Sequence, residues 1–202
     1  MERINKQIEF LIEIDRLKSI NRRNYISDGA RNENDAEHSW YFAMAALLLA
    51  EYSNEKIDMQ KVIQMALIHD IVEIDAGDTF IYDEKAKKHQ HDKEQKAAER
   101  IFGLLPDEQK KFMYDIWNEF EENITKESKF ARSIDRLVAI LLNDISDGKA
   151  WKEHNIEYSQ VYEVNKRIAE GSSKLWALVE KIINKAADEG KLDKDPANHS
   201  SY

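Results

Sequence analysis

One imidazole and four carboxylates lie within ten residues of this sequence, from His69 to Asp78. On a continuous helix, Glu73 lies four residues after His69 and three after Asp70, so the three side chains share a face. An ionised group among apolar neighbours is costly to bury unless it is paired or bound to metal. The pattern predicts a metal site, and the alternative is a solvated helix end with His69 half-buried. Gly77 supplies a helix stop before Asp78.

His38 could add a second imidazole to such a site. It falls in the first turn of a predicted helix whose start is marked by Asn34 and Glu37, at the spacing of a capping box. The positive end of a helix disfavours a further positive charge, and a neutral imidazole is the form that binds metal. His38 is therefore a candidate ligand.

Asp135 could add a further carboxylate from another part of the chain. It lies between Ile134 and Leu137 in a strongly apolar predicted helix. A carboxylate there is either paired with a base such as Arg132 or Arg136, or bound to metal. The sequence pattern alone leaves both possibilities open.

The composition is typical of a helical protein. Charged residues make up 34% and apolar residues 42% of the 202 residues, and 6 Gly and 2 Pro are too few for many tight turns. The sequence contains no cysteine, which excludes disulfides, thiolate nucleophiles and Cys-based zinc sites. We expect an all-α fold in which about eight helices form one domain over residues 1–189, followed by a disordered polar tail over residues 190–202.

Charge and hydropathy predict where the protein acts. The net charge of −9 argues against binding a nucleic acid polymer, although a local basic pocket could hold a small anion. The longest apolar run, residues 43–50, is too short to span a bilayer, and the N-terminus lacks the apolar region of a signal peptide. We therefore expect a cytoplasmic protein with no membrane partner.

Apolar periodicity and helix-capping residues divide the chain into eight predicted helices. Asp58 and Thr125 mark two of the helix starts, whereas Gly148 and Gly171 mark breaks. The predicted helices cover about residues 2–19, 35–52, 59–76, 92–104, 106–122, 126–146, 159–169 and 173–188.

Residues 21–31 have the composition of a loop, yet three arginines lie in this segment. These arginines are either solvated or form an anion clamp, because guanidinium forks match phosphate oxygens. They are Arg22, Arg23 and Arg31.

Residues 84–93 are highly charged and lack apolar periodicity. We expect a mobile surface loop here, in which His89 and His91 are solvated. The alternative is a lid that closes over the site.

The order His38, then His69-Asp70, then Asp135, on separate predicted helices, resembles the HD-domain metal-dependent phosphohydrolases. Further stretches resemble the small single-domain branch related to 5′-deoxynucleotidases, and the match covers most of residues 8–180. These stretches are residues 37–40, 69–80, 135–137, 148–154, 168–172 and 175–176.

The resemblance implies a fully α-helical fold around one divalent metal ion, usually as a homodimer. Mixed nitrogen and oxygen ligation without sulfur favours Mn²⁺, Co²⁺, Fe²⁺ or Ni²⁺, with Zn²⁺ or Mg²⁺ possible. The implied metal ligands are His38, His69, Asp70 and Asp135.

The same resemblance implies that Glu73 is the catalytic carboxylate. It implies that Asp78 lies near the nucleotide sugar and that Arg22 lies near the phosphate. Members of this branch often follow that arginine with an aromatic residue, but Arg23 stands here and the first aromatic residue is Tyr25. Because of this departure, the resemblance does not predict the choice between deoxyribose and ribose or the base preference.

The implied activity is hydrolysis of nucleoside 5′-monophosphates, chiefly deoxyribonucleotides, by a metal-activated water. One alternative is a phosphohydrolase of the same superfamily that acts on a cyclic nucleotide, a nucleoside triphosphate or an alarmone. The other alternative is a metal-structured helical module that binds a nucleotide or a partner protein without turnover.

Overall fold

The architecture is all-α, as the composition predicts. This computed structural model describes residues 1–79, 81–82 and 84–194, and among these the side chains of all but 84–89. Two short 3₁₀ turns, Asp15–Ser19 and Ala50–Tyr52, extend the first two helices. The helices are α1 (Glu2–Ile14), α2 (Asp35–Leu49), α3 (Met59–Ile68), α4 (Glu73–Ala76), α5 (Glu84–Phe102), α6 (Asp107–Glu122), α7 (Lys126–Ile145), α8 (Lys149–Glu153), α9 (Tyr158–Asn165), α10 (Ile168–Gly171) and α11 (Ser173–Asp188).

Three predicted helix starts are confirmed by the capping hydrogen bonds. Asn34 and Glu37 form the expected capping box, in which Asn34 Oδ1 accepts from the Glu37 amide at 3.0 Å. Asp58 caps α3 and Thr125 caps α7 by accepting from backbone amides of the first turn. These caps fix the residue at which each helix begins, and so which side chains face the interior.

Helix α7 lies at the centre of the fold. It packs against α2, α3, α6, α10 and α11. Its apolar face includes Phe130, Ile134, Leu137 and Val138, which follow helical spacing and are buried. Because α7 is held on several sides, Asp135 projects from a rigid backbone.

The segment 21–31 does not form the expected irregular loop. Strand β1 (Asn21–Tyr25) pairs antiparallel with β2 (Asn32–Asn34), with Asn21 opposite Asn34 and Tyr25 opposite Asn32. The strands carry mostly polar residues, so their sequence gives no apolar alternation. This hairpin leads directly into α2 and places Arg22 on a regular strand.

The prediction of a loop over residues 84–93 is wrong, because helix α5 begins at Glu84. Lys, Glu, Ala and Gln are good helix formers, and here propensity favours a helix in a segment without an apolar stripe. The apolar signal appears only further along α5, where Ala97, Ala98, Ile101 and Phe102 are buried. The side chain of His89 lies outside the described residues. That this segment acts as a lid over the site stays a prediction.

The polar tail predicted from residue 190 does not begin there. Leu192 belongs to the hydrophobic core, and the Tyr158 amide donates to the Asp193 carbonyl at 2.8 Å. A single leucine in a charged stretch is too weak a sequence signal for packing to be predicted. Residues 195–202 lie outside the described part of the chain.

Among the described residues, none of the helices has both the length and the apolar character needed to cross a bilayer.

Candidate metal centre and substrate cavity

The residues from His69 to Gly77 form a tight turn and a short helix, where sequence spacing predicts one continuous helix. Helix α3 ends at Ile68, and the Ile71 and Glu73 amides donate to carbonyls three residues earlier. Helix α4 then ends at Ala76, and the next residue, Gly77, has a φ of 76° that favours glycine, as the stop signal predicts. The turn still brings His69, Asp70 and Glu73 to one place, but by i,i+3 hydrogen bonds and not by a shared helix face.

His38, His69 and Asp135 converge from α2, the turn after α3, and α7. Each offers a ligand atom, and these atoms all lie within 4.8 Å of one another. His69 Nδ1 lies 3.1 Å from the Ala66 carbonyl, a contact that requires the proton on Nδ1. The buried Nε2 of His69 makes no hydrogen bond among the described residues, so this nitrogen could bind a metal ion.

Asp70 adjoins this cluster. Its Oδ1 lies 3.0 Å from His69 Nε2, and its Oδ2 lies 4.0 Å from His38 Nε2. The structure therefore brings together the four predicted ligands, His38, His69, Asp70 and Asp135. Two imidazoles and two carboxylates, with a buried unpartnered nitrogen, fit a divalent metal ion.

The protonation of these groups compensates for the absence of a cation in the metal-free protein. Burial and Arg22 lower the pKa of His38, but Asp135, whose Oδ1 lies 3.0 Å from His38 Nε2, and Glu33 together outweigh them and raise it to about 9. Burial raises the pKa of Asp70, but His69 and Arg22 outweigh it and lower that pKa to about 2. The pKa of Asp135 likewise lies well below its usual range, although burial opposes this. The cluster therefore attracts positive charge.

Glu73 lies beside the metal cluster at the start of α4. Its carboxylate forms a second group with Asp70 and Asp35, in which one oxygen of each lies within 4.8 Å of the others. Burial, with the carboxylates of Asp70 and Asp35, raises the pKa of Glu73 well above its ordinary value. A carboxyl group with a raised pKa beside a candidate metal site is suited to proton transfer.

The three predicted substrate arginines are not all at the site. Arg22 Nη1 donates to Asp70 Oδ2 at 2.7 Å, and Arg22 and Arg23 line a small cavity of about 70 Å³ with Asp78. Arg31 instead pairs with Glu37 at 2.6 Å, and its side chain is 54% exposed. It lines neither this small cavity nor the cavity of about 360 Å³ that borders His69 and Glu73. The sequence alone could not show which of the three arginines reach the site, because their positions depend on the register of the hairpin.

Tyr25 does not take the place of an aromatic residue at the site. Its hydroxyl bonds Glu153 at 2.9 Å, and Lys149 Nζ lies 3.9 Å from its ring centroid. The residue next to Arg22 that borders the site is therefore Arg23, whose positive charge lowers the pKa of Asp78 against the larger effect of burial, which raises it.

A cavity of about 360 Å³ opens onto these groups, within the size range of small-molecule sites. Its walls include Glu73 and Asp78 at the candidate centre and, from α5, the side chains of Gln90, His91 and Glu94. His91, predicted to be simply solvated, thus lines the cavity. Gln90 Nε2 donates to the Gly77 carbonyl at 3.1 Å, which ties α5 to the loop after α4.

Glu33 and Asp35 were missed by sequence reasoning. Glu33 Oε2 lies 3.4 Å from His38 Nδ1, and Asp35 is 0% exposed beside Arg22. Asp35 carried a usable signal, because it lies three residues before His38 and so on the same face of α2. Glu33 lies on a short polar strand, where no periodicity marks it.

Comparisons with known proteins assign the chain to a family. The HD domain family matches residues 14–176. The chain is also similar to the crystal structure of a predicted metal-dependent phosphohydrolase from Magnetospirillum magnetotacticum. The two share a TM-score of 0.90 and 43% sequence identity over 95% of this chain and 96% of that one. The chain therefore belongs to the HD domain family.

Curated relatives in this family are 5′-deoxynucleotidases. The protein HDDC2 of Xenopus laevis is 33% identical over 135 residues, which cover 66% of this chain and 66% of the relative. HDDC2 of Homo sapiens is 27% identical over 135 residues, which cover 66% of this chain and 65% of the relative. The chain thus spans about two thirds of the length of the curated relatives it matches.

We expect Glu33→Gln to weaken metal binding about 10- to 100-fold, because the carboxylate at His38 Nδ1 orients that imidazole. Competition with a chelating dye measures the dissociation constant of Mn²⁺ or Co²⁺. Glu37→Gln is the matched control, since Glu37 faces Arg31 and a glutamine preserves the capping box. Equal affinity of Glu33→Gln and wild type would show that Glu33 does not support the ligand.

Proposed function

We propose that the protein is a metal-dependent phosphomonoesterase that hydrolyses nucleoside 5′-monophosphates, chiefly deoxyribonucleotides, to nucleoside and phosphate. The observation that carries this proposal is the convergence of two imidazoles and two carboxylates beside Glu73, at the wall of a cavity sized for a small molecule. The names of the curated 5′-deoxynucleotidase relatives support the substrate class.

The proposed ligands of the metal are His38, His69, Asp70 and Asp135. Their nitrogen and oxygen atoms favour Mn²⁺, Co²⁺, Fe²⁺ or Ni²⁺ over metals that prefer sulfur, with Zn²⁺ or Mg²⁺ possible. A bound ion of this kind supplies Lewis acidity to the phosphate and lowers the pKa of a water.

Glu73 is the proposed proton-transfer group. Its carboxyl lies next to Asp70 and lines the cavity, and its raised pKa favours a role in proton transfer. As a base it takes a proton from the attacking water, and as an acid it protonates the leaving nucleoside oxygen. The Glu73 carboxylate itself forms no bond to phosphorus.

The proposed substrate contacts divide between charge and sugar recognition. Arg22, whose guanidinium bonds Asp70, is placed to neutralise the phosphate as negative charge develops. Asp78 borders both cavities and can accept a hydrogen bond from a sugar hydroxyl. Arg23 lies beside Asp78 in the smaller cavity, so it is the proposed determinant of sugar preference. Arg31 is left out, because it pairs with Glu37.

Phosphate release from a substrate panel tests the activity. Metal-stripped protein is given Mn²⁺, Co²⁺, Mg²⁺ or Zn²⁺ separately, with ribo- and deoxyribonucleoside 5′-monophosphates. We expect metal-dependent release that is faster from the deoxyribonucleotides. Equal rates for both sugars would retain the chemistry and overturn the deoxyribose preference. No release from any monophosphate with metal bound would overturn the proposed function.

Glu73→Ala should reduce turnover at least about 100-fold, because proton transfer is lost. Metal content, measured by elemental analysis, should stay near that of the wild type, since Glu73 is outside the proposed ligand set. Asp135→Asn is the comparison variant, which should lose metal and activity together. A Glu73→Ala protein with normal turnover would exclude this role.

We also propose that the protein forms a homodimer through α2. Trp40, Met44, Leu47 and Leu48 follow helical spacing along α2 and are 65%, 38%, 54% and 71% exposed. A contiguous apolar stripe of this kind is uncommon on a monomer.

A cytoplasmic location stays a prediction of the cysteine-free sequence.

Leu48→Glu should convert the dimer to monomer, because a charge at the most exposed residue of the stripe cannot be buried in the interface. Sedimentation velocity or light scattering measures the mass over a range of concentrations. Leu178→Glu on α11 is the matched control, since Leu178 is 47% exposed on another helix. A monomeric wild type, or a dimer unaffected by Leu48→Glu, would refute this arrangement.

A further inference from the structure

Asp35 is a buried carboxylate that the proposed reaction does not use. It is 0% exposed, and neither Oδ accepts a hydrogen bond from any donor among the described residues. An ionisable group in this state costs free energy unless a cation or a bound ligand compensates for it. Its presence therefore calls for an explanation beyond packing.

Helix capping does not supply that explanation. Asp35 is the first residue of α2, where an acidic side chain interacts favourably with the helix dipole. The cap itself is Asn34, whose side chain accepts from the Glu37 amide, while the Asp35 carboxylate accepts from no helix amide. A solvated acid would serve the dipole equally well, so the burial of Asp35 has another cause.

The neighbouring cation is Arg22. Arg22 Nη1 lies 3.6 Å from Asp35 Oδ1 and 2.7 Å from Asp70 Oδ2, and its Nε lies 3.9 Å from Glu33 Oε2. Three acids from β2, α2 and the turn after α3 thus surround one guanidinium. Only Asp70 makes a hydrogen bond with it, and Asp70 is also a proposed metal ligand.

We propose that Asp35 is a positioning residue that holds Arg22 for the substrate phosphate, a role that rests on the proposed function. Asp70 would be shared between Arg22 and a bound metal ion, so its contact with Arg22 would be weaker in the metal-loaded protein. Asp35 and Glu33 then keep the guanidinium against the wall formed by α2. Arg22 thereby stays available to the phosphate without losing its orientation, because a planar guanidinium has donors for several acceptors at once.

A double-mutant cycle on the metal-loaded protein tests this role. Calorimetry gives the dissociation constant of inorganic phosphate for wild type, Asp35→Asn, Arg22→Ala and the double variant. We expect Asp35→Asn to weaken phosphate binding about tenfold when Arg22 is present. In the Arg22→Ala background the same change should cause no weakening, since removing an acid then only reduces repulsion of the anion.

Glu37→Gln is the matched acid-to-amide control on the same turn of α2, and it should leave phosphate affinity unchanged. Asp35→Glu retains the negative charge and should bind phosphate more tightly than Asp35→Asn, which a purely structural role would not produce. Metal content and melting temperature are recorded for every variant. If Asp35→Asn does not fold, Asp35→Glu takes its place in the double-mutant cycle. Equal weakening in both backgrounds, or tighter binding by Asp35→Asn with Arg22 present, would overturn the proposal.

The phosphate measurement separates this inference from the activity. A protein that binds phosphate with the expected coupling but hydrolyses no nucleotide would retain the role of Asp35 and refute the proposed function. An active enzyme without coupling would refute only the role of Asp35.

Discussion

The structure depends on one electrostatic constraint, which is the burial of several carboxylates around two histidines in a helical core. Glu33, Asp35, Asp70 and Asp135 approach one another within a region where each ionised group is poorly solvated. Such a cluster is stable only when positive charge is present inside it. In the metal-free protein that charge comes from Arg22 and from the proton that His38 gains beside Asp135.

The fold meets this constraint by bringing residues distant in sequence to rigid backbone positions. Helix α7 contributes Asp135 from the centre of the bundle, and α2 contributes His38 from its first turn. The β1–β2 hairpin contributes Arg22, and the turn after α3 contributes His69 and Asp70. Each element is anchored by caps or by core packing, so the polar groups need no flexible loop to meet. This rigidity is what a preorganised catalytic site requires.

Much of this arrangement could be predicted from the sequence. Asn34, Asp58 and Thr125 mark helix starts by side-chain chemistry that acts locally, and the structure confirms them. His38 and Asp135 could be selected because an ionisable residue in an apolar helix violates the usual pattern. The loop prediction for residues 84–93 was wrong because this part of α5 has no apolar stripe in its sequence. Its charged composition therefore resembled that of a loop.

Other features depend on tertiary structure alone. Arg22 and Arg31 occur in the same polar segment, but the hairpin register sends one toward Asp70 and the other toward Glu37. Glu33 and Asp35 flank a capping residue and looked like an ordinary helix start. Their burial arises when β2 and α2 close over the cluster, and the only local signal of it is the spacing of Asp35 from His38.

The pairing of Arg22 with Asp70 and of His38 with Asp135 bears on how the protein acquires its ion. Because Arg22 supplies positive charge within the cluster, its carboxylates do not depend on a metal ion alone for compensation, unlike the ligands of a zinc finger. Loading must then displace the His38 proton, so uptake releases acid and grows more favourable as pH rises through about 9. Mixed nitrogen and oxygen ligands bind several divalent metals, so the species bound in a cell would depend on the supply of metals there.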